Sequence, residues 1–470
     1  MWWTLLGLIL TCSLIVDLRV GPRAALGAGV LISFLFPSWI EERFFGQPID
    51  LRVATSLILL IRQLFDTRRA ICWSFNAGDW AILSIFFANI ASDSWHDGFS
   101  FSHIVMAFGN WSLPYIAGRL ACENCTDWRW LSGLAVGVAM ILAIASVGES
   151  LSEVNPTTFV FGNRPKDRAP STQIRNGFKR AEGPTRHPIW FAMIQCLLLP
   201  WTIFAAARSL KLDGPAWWAC SPIILICGIL ATIARGPILA ALLIPFIFMA
   251  AYSPNYRKYL AIFGITIATA ALLFQNQLRN SLEAWETAKY AAKSGEQVEI
   301  EGKEQRLTSL SHRWLVYSAY RPAMANAGLL GYGTSRTSSF PVNVPLGPDA
   351  KQTIGAFWSI DVEYLLITLR FGYLGLAAFL TLLIASIWNA FRQATFITTL
   401  DVAFPLAVGA TLVAAGLVFL VEWMPTDYGF LYLWLCGAAN GSRYANAVVS
   451  KNTNTVTHIP RRRSRTKSDR

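Results

Sequence analysis

From His187 to Tyr252 the chain reads HPIWFAMIQCLLLPWTIFAAARSLKLDGPAWWACSPIILICGILATIARGPILAALLIPFIFMAAY. Three apolar runs (187–207, 216–233 and 236–252) follow one another, interrupted by Arg208, Lys211, Asp213 and Arg235. Apolar runs of about 17–25 residues joined by very short turns are the pattern of consecutive membrane-crossing helices. The whole composition agrees. Apolar residues make up 54% of the 470 and charged residues 14%, against about 25% in soluble proteins. Mean hydropathy is +0.42, and the 19 Trp suit membrane interfaces. A soluble enzyme, a disordered chain and a single-pass receptor are excluded.

Outward from this stretch, further apolar runs predict helices near 1–16, 22–37, 51–65, 79–93, 101–118, 131–147, 258–275, 360–391 (with a break near Gly372), 399–421 and 426–442. The expected fold is all-α, a polytopic transmembrane helix bundle of 12–13 spans. The runs 51–65 and 1–16 are short enough to leave the count open. A large, partly helical outer-face loop separates the tenth span from the eleventh. The chain divides into N-terminal spans (1–147), an outer-face loop (148–186), central spans (187–275), the large outer loop (276–357), C-terminal spans (358–442) and a basic tail (443–470). Met1-Trp2-Trp3 lacks the basic start of a cleavable leader, so a retained first span is expected. No internal repeat is visible, which weakens an inverted-repeat transporter.

Charge orients the bundle. The net charge is +12, and the tail from Arg443 to Arg470 holds 8 basic residues and one acid, Asp469. Such a block beside a span marks the cytoplasmic side rather than nucleic acid, for which nothing else in the chain argues. With the tail inside, the inner short loops hold 12 basic residues: Arg19, Arg23, Arg62, Arg68, Arg69, Arg119, Arg129, Arg208, Lys211, Arg257, Lys258 and Arg392. The outer short loops hold 2, Arg43 and Arg235. Both long polar segments then fall outside. Cys122 and Cys125 form a C-x-x-C pair without a second ligand pair, so neither a metal site nor a cofactor is expected.

Three arginines stand out on the outer side. Arg180 and Arg186 lie just before a span, and Arg235 occupies a very short turn between two spans. Snorkelling to the interface is the plain reading. The chemical one is an anionic partner, since the guanidinium fork matches phosphate or diphosphate. Around them lie R-A-E-G-P-T-R-H-P-I-W-F-A-M (Arg180 to Met193), T-I-A-R-G-P (Thr232 to Pro237), S-H-R-W-L-V-Y (Ser311 to Tyr317), G-L-L-G-Y-G-T-S (Gly328 to Ser335) and S-I-D-V-E-Y-L-L-I-T-L-R-F-G-Y-L-G-L (Ser359 to Leu376). The Gly328–Gly333 run lacks the strand and Lys-Ser/Thr pair of a nucleotide loop. It is expected to turn the large loop back towards the membrane.

In order and spacing these pieces, across residues 150–440, resemble the bacterial O-antigen ligase and polysaccharide polymerase superfamily. The resemblance implies a glycosyltransferase of the bacterial inner membrane that acts at the periplasmic face, with the C-terminus in the cytoplasm. It would move a glycan from a polyprenyl-diphosphate-linked oligosaccharide donor to a glycan or lipid-linked acceptor, without metal, and a chain-length regulator is a possible partner. Arg235 and Arg313 would bind the diphosphate, assisted by Arg186 and Arg180. Fixed guanidinium groups can stabilise charge that grows on a leaving group. The ligase branch places a His shortly before its Tyr-Leu helix, where this chain has Ser359-Ile360-Asp361-Val362-Glu363-Tyr364. The departure favours a polymerase over a ligase acting on lipid A-core, and it moves the acceptor-activating role to Asp361 or Glu363. Two residues apart, these carboxylates cannot both aim from a helix at one point. His312 could reach a substrate phosphate or be merely solvated. His187 and Tyr364 are candidate glycan contacts, with capping and packing as the plain alternatives. Glu422 and Asp427 are expected to pair with arginines. A flippase or transporter of lipid-linked sugars is the rival of another class, but it calls for charges at mid-membrane.

Overall fold

The computed structural model describes residues 1–44, 47–65, 74–123, 125–162, 174–175, 178–212, 215–253, 256, 258, 297–300, 303–306, 316–317, 320–337, 360–397 and 400–441. The described chain is mostly helical. In order it comprises α1 (Trp2–Arg19), α2 (Pro22–Ser33), α3 (Leu51–Leu64), α4 (Ala77–Asp97), α5 (Phe101–Ala107), α6 (Leu113–Ala121), α7 (Cys125–Ser152), α8 (Pro156–Phe161), α9 (Pro188–Leu212), α10 (Ala216–Ala231), α11 (Arg235–Tyr252), α12 (Thr334–Thr337), α13 (Glu363–Phe396), α14 (Ala403–Val418) and α15 (Thr426–Gly441). Three small antiparallel hairpins accompany them: β1 (Glu41–Phe44) with β2 (Gln47–Asp50), β3 (Ile174–Arg175) with β4 (Phe178–Lys179), and β5 (Gln297–Ile300) with β6 (Lys303–Arg306). Six of the described helices are long and apolar enough to cross a membrane.

Helices α9 and α14 are enclosed on nearly all sides, whereas α1 and α11 are peripheral. Their apolarity all round follows from these places, because lipid and core are equally apolar. Aromatic rings fill the centre: Trp201 lies 4.4 Å from Phe404 and 5.6 Å from Trp434, and Trp128 lies 4.8 Å from Phe404. Helices α6 and α15 meet backbone to backbone. A Cβ at Gly118 would strike the carbonyl of Trp434, one at Gly437 that of Tyr115, and one at Gly441 that of Arg119. Gly437 and Gly441 are four apart on one face of α15. Small residues at such spacing let membrane helices approach closely, where no hydrophobic force drives them together.

Two helices are interrupted. Between α5 and α6, residues Phe108–Ser112 form a π-turn in which the Leu113 N–H donates to the Phe108 carbonyl five residues back. Pro114 has no N–H to continue the ordinary ladder, and the wider winding absorbs that loss. The run 101–118 expected as one span therefore carries a bulge. In α13 the backbone leaves helical geometry at Gly372 (φ 68°), the place where a break was expected. The helix expected over 131–147 extends to Ser152, so the first part of the segment read as loop is helical.

Several arginines counted as loop charges are tied into ion pairs: Arg23 with Glu123, Arg119 with Asp79, and Arg129 with Asp401 at 2.5 Å. Asp79 also accepts from the Tyr115 hydroxyl at 2.9 Å. Substituting Gly437 by Ala is expected to destabilise the protein by about 1–3 kcal/mol, the range for overpacking. Gly7→Ala, at a site with nothing within 4 Å, should change nothing. Thermal unfolding of both variants in detergent checks the pair.

Candidate active site

At one end of the helical body lies a cavity of about 360 Å³, at the lower end of ligand sites of roughly 300–1,000 Å³. It is walled by the β1–β2 hairpin, the last turns of α4, the π-turn, the start of α9, the first two turns of α13 and the 423–427 segment. The π-turn contributes Gly109, Asn110 and Trp111.

Glu363 is the first residue of α13 and is buried. Its N–H donates to the Phe419 carbonyl at 3.1 Å, and its Oε2 accepts from the Met424 N–H at 2.6 Å. The carboxylate is thus anchored from the turn after α14. Arg370 follows seven residues later, two helical turns or about 10 Å along the axis, on the same face. Both line the cavity. The Arg370 guanidinium is half-buried and within electrostatic reach of the carboxylates of Glu363 and Asp93, and its Nε donates to Thr337 Oγ1 at 3.3 Å. Asp93 in turn accepts from the Thr334 N–H at 2.5 Å and from Asn89 Nδ2 at 2.6 Å. A cation inside an apolar helix needs such partners.

The break at Gly372 holds this group in place. The carbonyls of Leu369 and Arg370, freed from the helical ladder, accept from the N–H groups of Tyr332 (2.7 Å) and Gly333 (3.0 Å). In return the N–H groups of Tyr373 and Leu374 donate to the carbonyls of Gly328 (3.0 Å) and Leu329 (3.2 Å). Ser92 Oγ adds a second bond to the Arg370 carbonyl at 2.7 Å, and His96 Nε2 meets the Gly331 carbonyl at 2.8 Å. Gly331 and Gly372 are in the left-handed region, and each lies backbone against the opposite strand of this exchange, with no room for a Cβ. The G-L-L-G-Y-G run is therefore a turn docked on α13.

Arg186 enters the cavity from before α9, donating to the Ser38 carbonyl at 3.0 Å and to Glu41 Oε2 at 2.9 Å. Three indoles supply flat walls. Trp111 packs on Phe371, and Trp190 meets Trp423 edge to face at 5.6 Å. Beneath them buried Arg52 binds Asp50 at 2.7 Å and Asp427 at 3.3 Å. Asp427 pairs with an arginine, as expected, though with one that had not been singled out.

The sequence candidates divide. Glu363 and Arg186 lie in the cavity. Asp361 is half-buried just before α13 and does not line it. Tyr364 points into the bundle, its hydroxyl on the Gly416 carbonyl at 2.7 Å. His187 acts at the start of α9, its Nδ1 accepting from the Ile189 N–H at 3.3 Å while its ring abuts Trp190. Arg180 is buried, with Nε on the Thr232 carbonyl at 3.1 Å. Arg235 is the exposed first residue of α11 and does not line the cavity. It follows a strained turn in which Ile233, a β-branched residue, has φ 50°. Its neighbour Gly236 lies against Val418 and Val421, on the turn that anchors Glu363. His312 and Arg313 lie outside the described residues. Arg370, Asp93 and the three indoles are the residues that sequence reading passed over. The signal for Arg370 was its seven-residue spacing from Glu363 just before Gly372.

Residues 221–380 match the family described as O-antigen ligase. The match covers about a third of the chain and supports the O-antigen ligase superfamily. It runs from α10 past the break in α13, so Arg235, Glu363 and Arg370 fall inside it, while Asp93, Arg186 and Trp423 do not. The O-antigen ligase family comprises membrane glycosyltransferases of the ligase or polymerase type, acting on lipid-linked glycans. No curated protein matches the chain. Among the described residues no group of three His, Cys, Asp or Glu is arranged to hold a metal ion.

Replacing Arg370 by Met removes the positive charge nearest Glu363 and Asp93 along this wall. A loss of about 1–3 kcal/mol is expected, as for removal of a half-buried charged hydrogen-bonding group. Adding Glu363→Leu should recover part of it, and a double-mutant cycle by thermal unfolding should show more than ~1 kcal/mol of coupling. Independent, additive effects would show that the two side chains do not interact.

Proposed function

We propose that this protein is a polymerase of lipid-linked glycans, a bacterial inner-membrane glycosyltransferase with 12–13 spans, its cavity on the periplasmic side and its C-terminus in the cytoplasm. The observation that carries the reading is the placement of Glu363 and Arg370 on one helix face, inside the O-antigen ligase segment, at the wall of an aromatic-lined cavity. A carboxylate can take a proton from a sugar hydroxyl, the guanidinium can stabilise developing negative charge, and indole faces stack on sugar rings.

In the proposed reaction an acceptor hydroxyl oxygen attacks the anomeric carbon of the donor glycan. The bond from that carbon to the diphosphate breaks, its electron pair leaves with the phosphate oxygen, and the hydroxyl proton passes to Glu363. The Met424 N–H fixes one carboxylate oxygen and so orients the base. Arg370 and Arg186 face the reacting groups. Arg235, whose neighbour Gly236 lies against the 418–421 turn, and Arg313 hold the polyprenyl diphosphate. Charge stabilisation by fixed guanidinium groups, placed before the reaction, is the main contribution expected of such a site. A chain-length regulator would act as partner. The family description favours a second reading, transfer to lipid A-core. Identifying the product as a lengthened lipid-linked glycan or as a capped core separates the two.

Purified protein supplied with a polyprenyl-diphosphate oligosaccharide should release polyprenyl diphosphate. Glu363→Gln should lower kcat by about 10²–10⁴, the range for loss of a general base, while Asp361→Asn stays within a few-fold. The reverse order would transfer the role to Asp361. Arg235→Ala should abolish glycan assembly in cells while the protein still inserts. Polymer of normal length from that variant, in a strain lacking the native protein, would remove Arg235 from the site.

A further inference from the structure

Glu149, near the end of α7, is fully buried and takes no part in the chemistry above. Its Oε2 accepts from the Gly183 N–H at 2.8 Å and the Glu182 N–H at 3.2 Å. Its Oε1 accepts from Asn155 Nδ2 at 2.9 Å, with Lys179 Nζ at 3.7 Å. Asn155 Nδ2 also donates to the Gly183 carbonyl at 3.1 Å, while its Oδ1 caps α8 through the N–H groups of Thr157 and Thr158. Gly183 has φ 52°, and a Cβ there would strike the ring of Phe191. The Glu182–Gly183 turn is gripped from three sides.

Two arginines hang from that turn. Arg186 follows it and reaches into the cavity. Arg180 precedes it and donates to the Thr232 carbonyl, while the Ala181 N–H donates to the Ala231 carbonyl at 3.2 Å. Residues 231–234 form the strained turn that delivers Arg235. A buried carboxylate is unfavourable unless charge-assisted bonds compensate it, and successive N–H groups in such a turn make an anion nest.

We propose that Glu149 is a positioning residue for the active site: by holding the Glu182–Gly183 turn it sets Arg186 in the cavity and, through Arg180, the turn that presents Arg235. The negative charge matters as well as the shape. A glutamine would keep an oxygen for the two N–H groups, but its amide would face the Asn155 amide, donor against donor. The swapped pair, Glu149→Gln with Asn155→Asp, restores donor to acceptor between the two side chains but leaves the Gly183 carbonyl without its donor.

The proposal rests on the transfer reading only for its kinetic consequence, so two readouts are needed, both on the full chain in lipid nanodiscs. Hydrogen–deuterium exchange reads the turn directly. In Glu149→Gln the amides of 181–187 should exchange about tenfold faster, as for loss of a charged hydrogen bond, with α9 and α10 unchanged. With a polyprenyl-diphosphate oligosaccharide, KM for the donor should rise about tenfold while kcat stays within about threefold, a loss of binding rather than of chemistry. The swapped pair should recover only part of both, because the Gly183 carbonyl still lacks its donor. Asn155→Ala reaches the turn from the other side and should give the same regional exchange with a smaller KM rise. Unchanged exchange at 181–187, faster exchange throughout α7, α9 and α10, or a fall in kcat at constant KM would each overturn the proposal. So would failure of both Glu149→Gln and Asn155→Ala to yield folded protein, which would make the group a folding determinant. If the wild-type protein releases no polyprenyl diphosphate, the transfer reading fails and exchange alone decides the role of Glu149.

Discussion

A helix in a membrane must pair every backbone group within itself or with a neighbour, because no water is at hand to do so. The interruption of α13 at Gly372 is allowed only because the Gly328–Gly333 turn supplies the missing donors and acceptors. That exchange needs bare backbone on both sides, which is why glycine stands at 331 and 372. Arg370 sits two residues before the break, and its carbonyl is held by both Gly333 and Ser92. The end of the large polar segment is thereby joined to the helix that carries Glu363.

Charge inside the bundle is handled in two ways. Arg23–Glu123, Arg119–Asp79 and Arg129–Asp401 join one cation to one carboxylate and lash helices together. At the cavity Arg370 lies within electrostatic reach of Glu363 and Asp93, and these carboxylates are steadied by backbone N–H groups of Met424 and Thr334. Carboxylates steadied by N–H donors keep their place without being locked to one guanidinium. Such an arrangement is suited to exchanging partners with a bound ligand.

The motif around Glu363 drew notice to it together with Asp361 and His312, and only the packing separates Glu363, which lines the cavity, from Asp361, which does not. The interruption at Gly372 and the turn at Gly328–Gly333 were legible, glycine being the residue that such backbone requires. Asp93 and Glu149 were not. Each looks like an ordinary acid at the end of an apolar run, and only packing shows Asp93 beside Arg370 and Glu149 beneath the 182–183 turn. Arg119 was read as a loop charge and is buried, because α6 continues to Ala121 and Asp79 on α4 meets it. Arg180 drew notice for its charge, yet it lies under the Thr232 turn, a contact between segments 52 residues apart.

Hydropathy, the short turns and the glycine runs were enough to specify a membrane-embedded helical chain, since apolar length and backbone freedom are properties of local sequence. Which charges share a cavity depended on how the helices pack. The wall brings together Glu41, Asp93, Arg186, Glu363 and Trp423, from both ends of the chain. Side chains so far apart in sequence become neighbours only when small residues such as Gly118 and Gly437 let their helices close on one another, and no local pattern records that.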